Sequence, residues 1–346
     1  MTFENSLPHS SDALSLTELE LYHLIMDYRA QEGLAPIPLS ENLTTTAGRH
    51  AADTLYNIWE AGLTLPADAN LHSWSNAFYY ADHSNPSVMW DAPERIGTSY
   101  TSNGYEISAA GYADIAAALA GWQGSTGHDT VIVNEGAWAS ATWNAIGIGV
   151  ENDSSVSNYG GRIYHVWFGT AEDLEGAPEI TGTGAANEIT GTAFADKIRG
   201  LGGDDKLIGD AGRDILIGNQ GDDKLVGGRG RDRLNGGQDD DILKGGGGRD
   251  ILNGGQGNDT LQGGNGVDLF VFKQNDFGRD RIRDYSGDKV RITAEGEAST
   301  LAELNAALRE KANGDVIYDH LNDGENVIVF KNITLADLDL TLFDLG

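Results

Sequence analysis

The sequence predicts an α+β fold in its first half, a stack of short strands in its middle and a small β-rich cap at its end. Three observations predict it. In residues 14–170, segments with helical spacing of apolar residues precede two alternating, strand-like segments. An unbroken nine-residue beat then runs from Gly182 to Val271. Short alternating stretches, "DRIRDY", "KVRI" and "NVIVF", follow within residues 272–346.

Composition divides the chain in the same places. All seven Trp lie between Trp59 and Trp167, whereas 25 of the 47 Gly lie in residues 182–271. Residues 1–13 read as a flexible N-terminus, and residues 171–181, within "AEDLEGAPEITGT", as a linker. The net charge of −30 argues against nucleic acid or an anionic membrane as partner and suits a binder of cations. Residues 1–181 carry −19 of it, residues 182–271 only −5 and residues 272–346 −6, because basic residues offset the aspartates of the repeat. Without cysteine, a disulfide framework and thiolate metal sites are excluded. The opening "MTFENSLPHSSDALSL" has neither a basic start nor an apolar run, so a classical cleaved signal peptide is not expected. No stretch approaches the roughly 18 apolar residues of a membrane helix.

In the first region, Leu21, Leu24, Ile25 and Tyr28 fall at helical spacing, and Gly33 and Pro36 end that helix. "SENLTTTAGRHAADTLYNIWEAGL" reads as a second helix, with Ser40 as cap and Gly62 as stop. "EISAAGYADIAAALAGW" (106–122) reads as a third. "WNAIGIGVEN" and "GRIYHVWFG", joined by "DSSVSNYG", read as two antiparallel strands. Helices laid on strands make an α+β sandwich.

The middle region divides into ten nine-residue blocks, GTGAANEIT, GTAFADKIR, GLGGDDKLI, GDAGRDILI, GNQGDDKLV, GGRGRDRLN, GGQDDDILK, GGGGRDILN, GGQGNDTLQ and GGNGVDLFV. Position one is always Gly, position six is Asp in nine of ten, and position eight is Ile, Leu or Phe. Glycine permits tight turns and close backbone approach. Aspartate adds a hard anionic oxygen, and stacked carbonyls and carboxylates suit Ca²⁺, which takes about six to eight oxygens. The apolar eighth residue points into a thin core between short strands. A disordered Gly/Asp linker would need neither the register nor the apolar position.

These blocks resemble the RTX, or hemolysin-type, calcium-binding nonapeptide family. The resemblance implies a parallel β-roll with two nonapeptides per coil and Ca²⁺ held between loops 18 residues apart. Two stacks of five loops leave room for up to about eight ions. The candidate ligands are Asp205, Asp214, Asp223, Asp232, Asp241, Asp250, Asp259 and Asp268 with adjacent Gly carbonyls. Asp196 is the weaker candidate, because its block lacks the Gly of positions two and four, and that end reads as a cap. Without Ca²⁺ the aspartates repel and the glycines oppose ordering, so folding is expected to require the ion.

In the tail, "TLAELNAALREKAN" (300–313) reads as a helix with Thr300 as cap and Glu303 completing a capping box. Residues 272–346, ending in "LDLTLFDLG", resemble the C-terminal part of proteins exported by bacterial type I secretion. That resemblance implies the secretion machinery as partner and an extracellular location. A β-cap closing the last coil is a compatible reading. Asp280, Asp284 and Asp288 read as solvated turn aspartates, with an added Ca²⁺ site as the alternative.

"LHSWS" (71–75), "GYEI" (104–107), "GWQGSTGHD" (121–129) and "WNAIGIGV…IYHVWFG" occur in the order found in the CAP superfamily, of SCP-like cysteine-rich secretory, antigen 5 and pathogenesis-related proteins. The resemblance covers residues 14–170 and implies an αβα sandwich. It also implies a cleft where two His and two Glu converge and hold a divalent metal. The matching residues are His72, His128 and Glu106; the second Glu falls at Ser125. Two imidazoles and one carboxylate suit Zn²⁺ with an open place for water, or form a polar cluster without metal. His23, His50 and His165 read as surface or satisfied core residues, His83 as a rim residue of the cleft, and His9 and His320 as loop or terminal residues.

No HExxH occurs, which excludes a zincin, and without a GxSxG or a phosphate-binding Gly-rich loop an α/β-hydrolase or P-loop enzyme lacks support. Two classes remain. One is an extracellular binding module for an unidentified lipid, peptide, sugar or protein. The other is a metal-dependent hydrolase using His72, Glu106 and His128. Ser125 in the place of an acid favours binding over enzymatic activity.

Overall fold

Ser15 starts the first helix. Its hydroxyl accepts from the Glu18 amide at 3.3 Å, and the Glu18 carboxylate accepts from the Ser15 amide at 2.7 Å. The protein is described here by a computed structural model, which covers residues 13–80, 84–272, 277–293, 300–319 and 326–345. His9, His83 and His320, and the proposed rim role of His83, lie outside the described residues. The chain forms two compact units, Met1–Pro178 and Glu179–Gly346.

In the first unit, α1 (Leu16–Gln31) buries Leu21 and Ile25 completely, while Leu24 and Tyr28 are half-buried. The Ser40 hydroxyl caps α2 (Glu41–Ala52) by accepting from the Leu43 amide at 2.9 Å. That helix runs on as a π-helix over Asp53–Glu60. Two four-residue helices, α3 (Ser87–Trp90) and α4 (Ala92–Arg95), precede a three-stranded antiparallel sheet. Its strands are β1 (Gly104–Ala110), β2 (Ala145–Asn152) and β3 (Arg162–Gly169), with β3 central. Between β1 and β2 lie α5 (Ile115–Gln123) and α6 (Thr126–Ile132).

The third helix expected over residues 106–122 is a strand followed by a shorter helix. Glu106–Ala110 pairs with β3, the chain turns at Gly111 (φ 77°), and Asp114 caps a new helix through the Ala117 amide at 2.8 Å. Pairing with a central strand overrides local helical preference.

The α2 backbone rests directly on β2. A Cβ at Gly147 would overlap the Leu43 carbonyl carbon, and one at Gly149 would overlap that of Ala47. The alternating glycines of "AIGIGV" therefore set how closely helix and sheet approach.

In the second unit, strands alternate between two parallel sheets. They are β4 (Ile180–Thr181), β5 (Glu188–Thr190), β6 (Lys197–Gly202), β7 (Lys206–Gly212), β8 (Ile215–Gln220) and β9 (Lys224–Gly230). The series goes on through β10 (Arg233–Gln238), β11 (Ile242–Gly248), β12 (Ile251–Gly255), β13 (Thr260–Gly266) and β14 (Leu269–Phe272). From β4 to β12 each strand pairs with the strand two later, residue i facing i+18, as in Leu207↔Leu225 and Leu234↔Leu252. All ten position-eight residues, Ile189 to Phe270, are at most 2% exposed and form the core between the sheets. Each contributes about 1.5–3 kcal/mol by burial.

The coil does not stop at Val271. β15 (Arg279–Ile282) adds to β13 with Leu261↔Ile282, and β16 (Lys289–Ile292) adds to β14 with Phe270↔Val290. The capping box at Thr300 and Glu303 starts α7 (Leu301–Ala307), which ends before residue 313. The next residues are drawn instead into β17 (Leu308–Glu310), antiparallel to β18 (Val316–Tyr318). β18 pairs antiparallel with β19 (Val327–Phe330), which lies parallel on β15; β20 (Phe343–Asp344) lies on β16. Among the described residues no helix is long and apolar enough to cross a membrane.

The α2–β2 contact leaves no room for one extra carbon. Gly149→Ala is expected to lower the stability of the first unit by about 1–3 kcal/mol, measured by denaturant unfolding followed through its tryptophans.

Candidate functional sites

The aspartates at position six build two ladders up the roll. The Asp205 amide donates to Asp223 Oδ1 at 2.8 Å, Asp223 to Asp241 at 2.8 Å and Asp241 to Asp259 at 2.8 Å. On the other side Asp196 donates to Asp214, Asp214 to Asp232, Asp232 to Asp250 and Asp250 to Asp268, each at 2.9 Å. One carboxylate oxygen is thereby satisfied. The other, Oδ2, is buried without a hydrogen-bond partner at Asp205, Asp214, Asp223, Asp232, Asp241, Asp250, Asp259 and Asp268. These are the eight positions favoured from sequence. Asp196 differs, because the Thr192 amide and hydroxyl both donate to its Oδ2.

The glycine at position one faces the same space. A Cβ at Gly209 would collide with Asp214 Oδ2 and the Gly227 carbonyl oxygen, and one at Gly218 with Asp223 Oδ2 and the Gly236 oxygen. Glycine is needed there because a carboxylate and a carbonyl of the next coil converge on it. Buried carboxylate oxygens lacking donors, with carbonyl oxygens beside them, are the donor set of a hard divalent cation, so these residues fit Ca²⁺. Without an ion, burial first and neighbouring carboxylates second push the acids upward. Asp250 rises to about 6, Asp214 and Asp223 to about 7 and Asp241 to about 9.

In the first unit, Glu106 on β1 gathers three histidines. His72 Nδ1 lies 2.8 Å from Oε2, and His50 Nδ1 lies 2.7 Å from Oε1. His165 Nδ1 also contacts Oε1, and the Ser108 hydroxyl lies 2.9 Å from that same nitrogen. His50 Nε2 donates to the Ser73 carbonyl at 3.0 Å. The His50 ring is stacked between Trp74, 4.4 Å away, and His165, 4.1 Å away. His50, Glu106 and His165 are buried, and His72 is the member with an exposed edge.

The structure brings together part of the site expected from sequence. His72 and Glu106 meet, but His128 Nδ1 pairs with the Ser125 hydroxyl at 3.0 Å. The metal-capable group among the described residues is His50, Glu106 and His165, whose ligand atoms lie within 4.8 Å of one another. His50 and His165 are buried, as the core reading of them expected; both His50 ring nitrogens are hydrogen-bonded, and His165 Nε2 has no hydrogen-bond partner. α2 gave no clue for His50, because ten of its twelve residues are buried, on every side of the helix. β3 offered none for His165, because residues 163–168 are buried on both faces and alternation carries no information there.

Burial opposes charge throughout the cluster, yet the attraction between His50 and Glu106 outweighs it. His50 is raised and Glu106 is held well below the usual carboxylate range. His165 is pushed down to about 4 by burial and by the His50 charge. The cluster thus favours the charged form of the His50–Glu106 pair and the neutral form of His165 beside it. His128 is likewise lowered, by burial and then by His72.

Two outcomes follow. Glu106→Gln leaves the His50 charge buried without its counter-ion and is expected to cost about 3–5 kcal/mol, read by thermal and chemical unfolding. In the roll, the raised aspartates stabilise the ion-free fold fully below their ordinary value of 3.8, and lose that contribution as pH rises through about 6 to 9. Acidification from pH 8 to 4 in a chelator is expected to increase its β-sheet circular dichroism.

Comparison with known proteins bears on the roll. The family model for the RTX calcium-binding nonapeptide repeat matches residues 181–216, 217–252 and 244–272. It leaves residues 1–180 unmatched, and no comparison supports a CAP assignment there. No curated protein matches the chain. Among solved structures, an outer surface protein from Borrelia burgdorferi is 16% identical with a TM-score of 0.31, covering 48% of this chain and 97% of its own. The extracellular lipase LipA from Serratia marcescens is 18% identical with a TM-score of 0.26, covering 48% of this chain and 39% of its own. Residues 181–272 are RTX calcium-binding nonapeptide repeats, wound into a parallel β-roll.

Proposed function

We propose that this is an exported bacterial protein whose roll folds on calcium outside the cell and carries the N-terminal unit as an extracellular binding module. The observation that carries this reading is the row of buried Oδ2 atoms without hydrogen-bond donors. Asp205, Asp214, Asp223, Asp232, Asp241, Asp250, Asp259 and Asp268 are the proposed ligands, with the position-one carbonyls beside them. Asp196 is the terminal member, closed by Thr192 rather than by an ion. A low-calcium cytosol would leave this segment loose for type I export, and millimolar external calcium would fold it. Residues 272–346 would carry the export signal while also closing the roll.

For the N-terminal unit, a CAP-like ligand site centred on His72 is the finer proposal. The exposed edge of His72, backed by Glu106 and the buried His50 and His165, supports it. The hydrolase alternative is weaker. His128 is engaged by Ser125, and a Zn²⁺ ion held by His50, Glu106 and His165 would be enclosed, with no open position for a reacting water.

Calcium titration of the chelated full-length protein, followed by circular dichroism, tests the main reading. A cooperative gain of β-structure with a midpoint of about 10⁻⁴–10⁻³ M is expected. The paired substitution Asp223→Asn and Asp241→Asn should shift that midpoint at least tenfold upward. An unchanged spectrum on adding calcium would remove the folding switch.

A further inference from the structure

The nonapeptide match ends at residue 272, but one aspartate ladder does not. The Asp259 amide donates to Asp280 Oδ1 at 2.8 Å, the same contact that joins every pair of coils below it, now spanning 21 residues instead of 18. Asp280 is 1% exposed, and its Oδ2 has no hydrogen-bond partner. Asp259 Oδ2, on the other side of the gap, has none either. Gly278 and Ile282 flank Asp280 at the spacing of positions four, six and eight, so "FGRDRI" is a degenerate repeat that the sequence pattern conceals. Ile282 occupies the core place above Leu261. The expectation that Asp280, Asp284 and Asp288 are solvated turn residues is thus overturned for Asp280 and Asp288, which is 3% exposed.

The second ladder ends differently. Asp288 Oδ1 accepts from the Asp268 amide at 3.0 Å, and its Oδ2 accepts from the Ser286 amide at 2.9 Å. Asp284 accepts from the Gly263 and Gly264 amides at 3.0 and 2.9 Å. Those carboxylates are satisfied by backbone donors. Of the two exits, the Asp259–Asp280 gap brings two buried carboxyl groups within hydrogen-bonding reach of each other, and among the described residues no other group donates to their Oδ2 atoms. Arg281 is the nearby cation, and its attraction is smaller than the effect of burial and of Asp259 on Asp280. Two such carboxylates need either a shared proton or a cation.

We propose that the gap between Asp259 and Asp280 binds one further Ca²⁺, a site outside the nonapeptide repeats. This rests on the reading that the repeats themselves bind calcium. Its consequence lies in the cap. β15, which carries Asp280, is the strand on which β19 pairs, from Arg279↔Val327 to Ile282↔Phe330, and β18 and β17 build on β19. The ion would fasten to the roll the strand that templates the cap.

The experiment counts calcium per chain by native mass spectrometry of the full-length protein at saturating calcium. Asp280→Asn keeps the Oδ1 acceptor for the Asp259 amide and removes the anionic ligand; it is expected to bind one ion fewer than wild type. Asp288→Asn, at the satisfied exit, is expected to keep the wild-type count. Anomalous difference density at a long wavelength in wild-type crystals checks the position without any variant. A peak between the two carboxylates is expected. An unchanged count in folded Asp280→Asn, or no peak at that gap beside peaks within the repeats, would mean a shared proton holds the pair and would overturn the site. A wild-type chain that binds no calcium would overturn this site and the repeat reading together.

Discussion

From Asp205 to Asp268 every position-six aspartate of the roll is buried with one carboxylate oxygen lacking a donor. That single constraint governs the second unit. The other oxygen of the same group accepts the amide of the aspartate one coil earlier, so the acid is fixed in place by the backbone and cannot turn away. Removing the charge needs a proton or a cation. The remaining resources of the roll are slight: one fully buried apolar side chain per nine residues, set against a glycine-rich chain with much conformational freedom to lose. Neutralising these carboxylates, by a proton or by a cation, is therefore favourable to the folded roll.

The glycines serve two separate ends there. At position one the need is space, since a Cβ would enter the volume shared by an aspartate oxygen and the next coil's carbonyl. At position two the need is a positive φ, met by Gly246 at 112° but also by Leu201, Asp210 and Asn219. Position one is accordingly invariant among the ten blocks and position two is not.

The first unit solves a different burial problem. Its charged cluster is compensated internally, by a His50–Glu106 pair against a neutral His165 and the Trp74 ring. Its assembly depends on Gly147 and Gly149, which let α2 settle onto the sheet far from Glu106 in sequence. Motif order led to His72 and Glu106, which do meet. It also led to His128, which turns to Ser125, and it passed over His50 and His165, whose role arises from a helix–sheet contact.

By itself the sequence determined whatever repeats locally: the ninefold register, the buried eighth residue, the aspartate ladders, and the caps at Ser40 and Thr300. These follow from backbone and side-chain chemistry within a few residues, multiplied by translation. Tertiary structure alone decided the rest. Residues 106–110 became a strand because β3 needed a partner, and α7 stopped at Ala307 because β18 claimed the next three residues. Asp280 joined the ladder across a 21-residue step that no fixed period reveals. In each case the deciding contact joins segments distant in sequence, and its energy comes from a partner that local pattern does not contain.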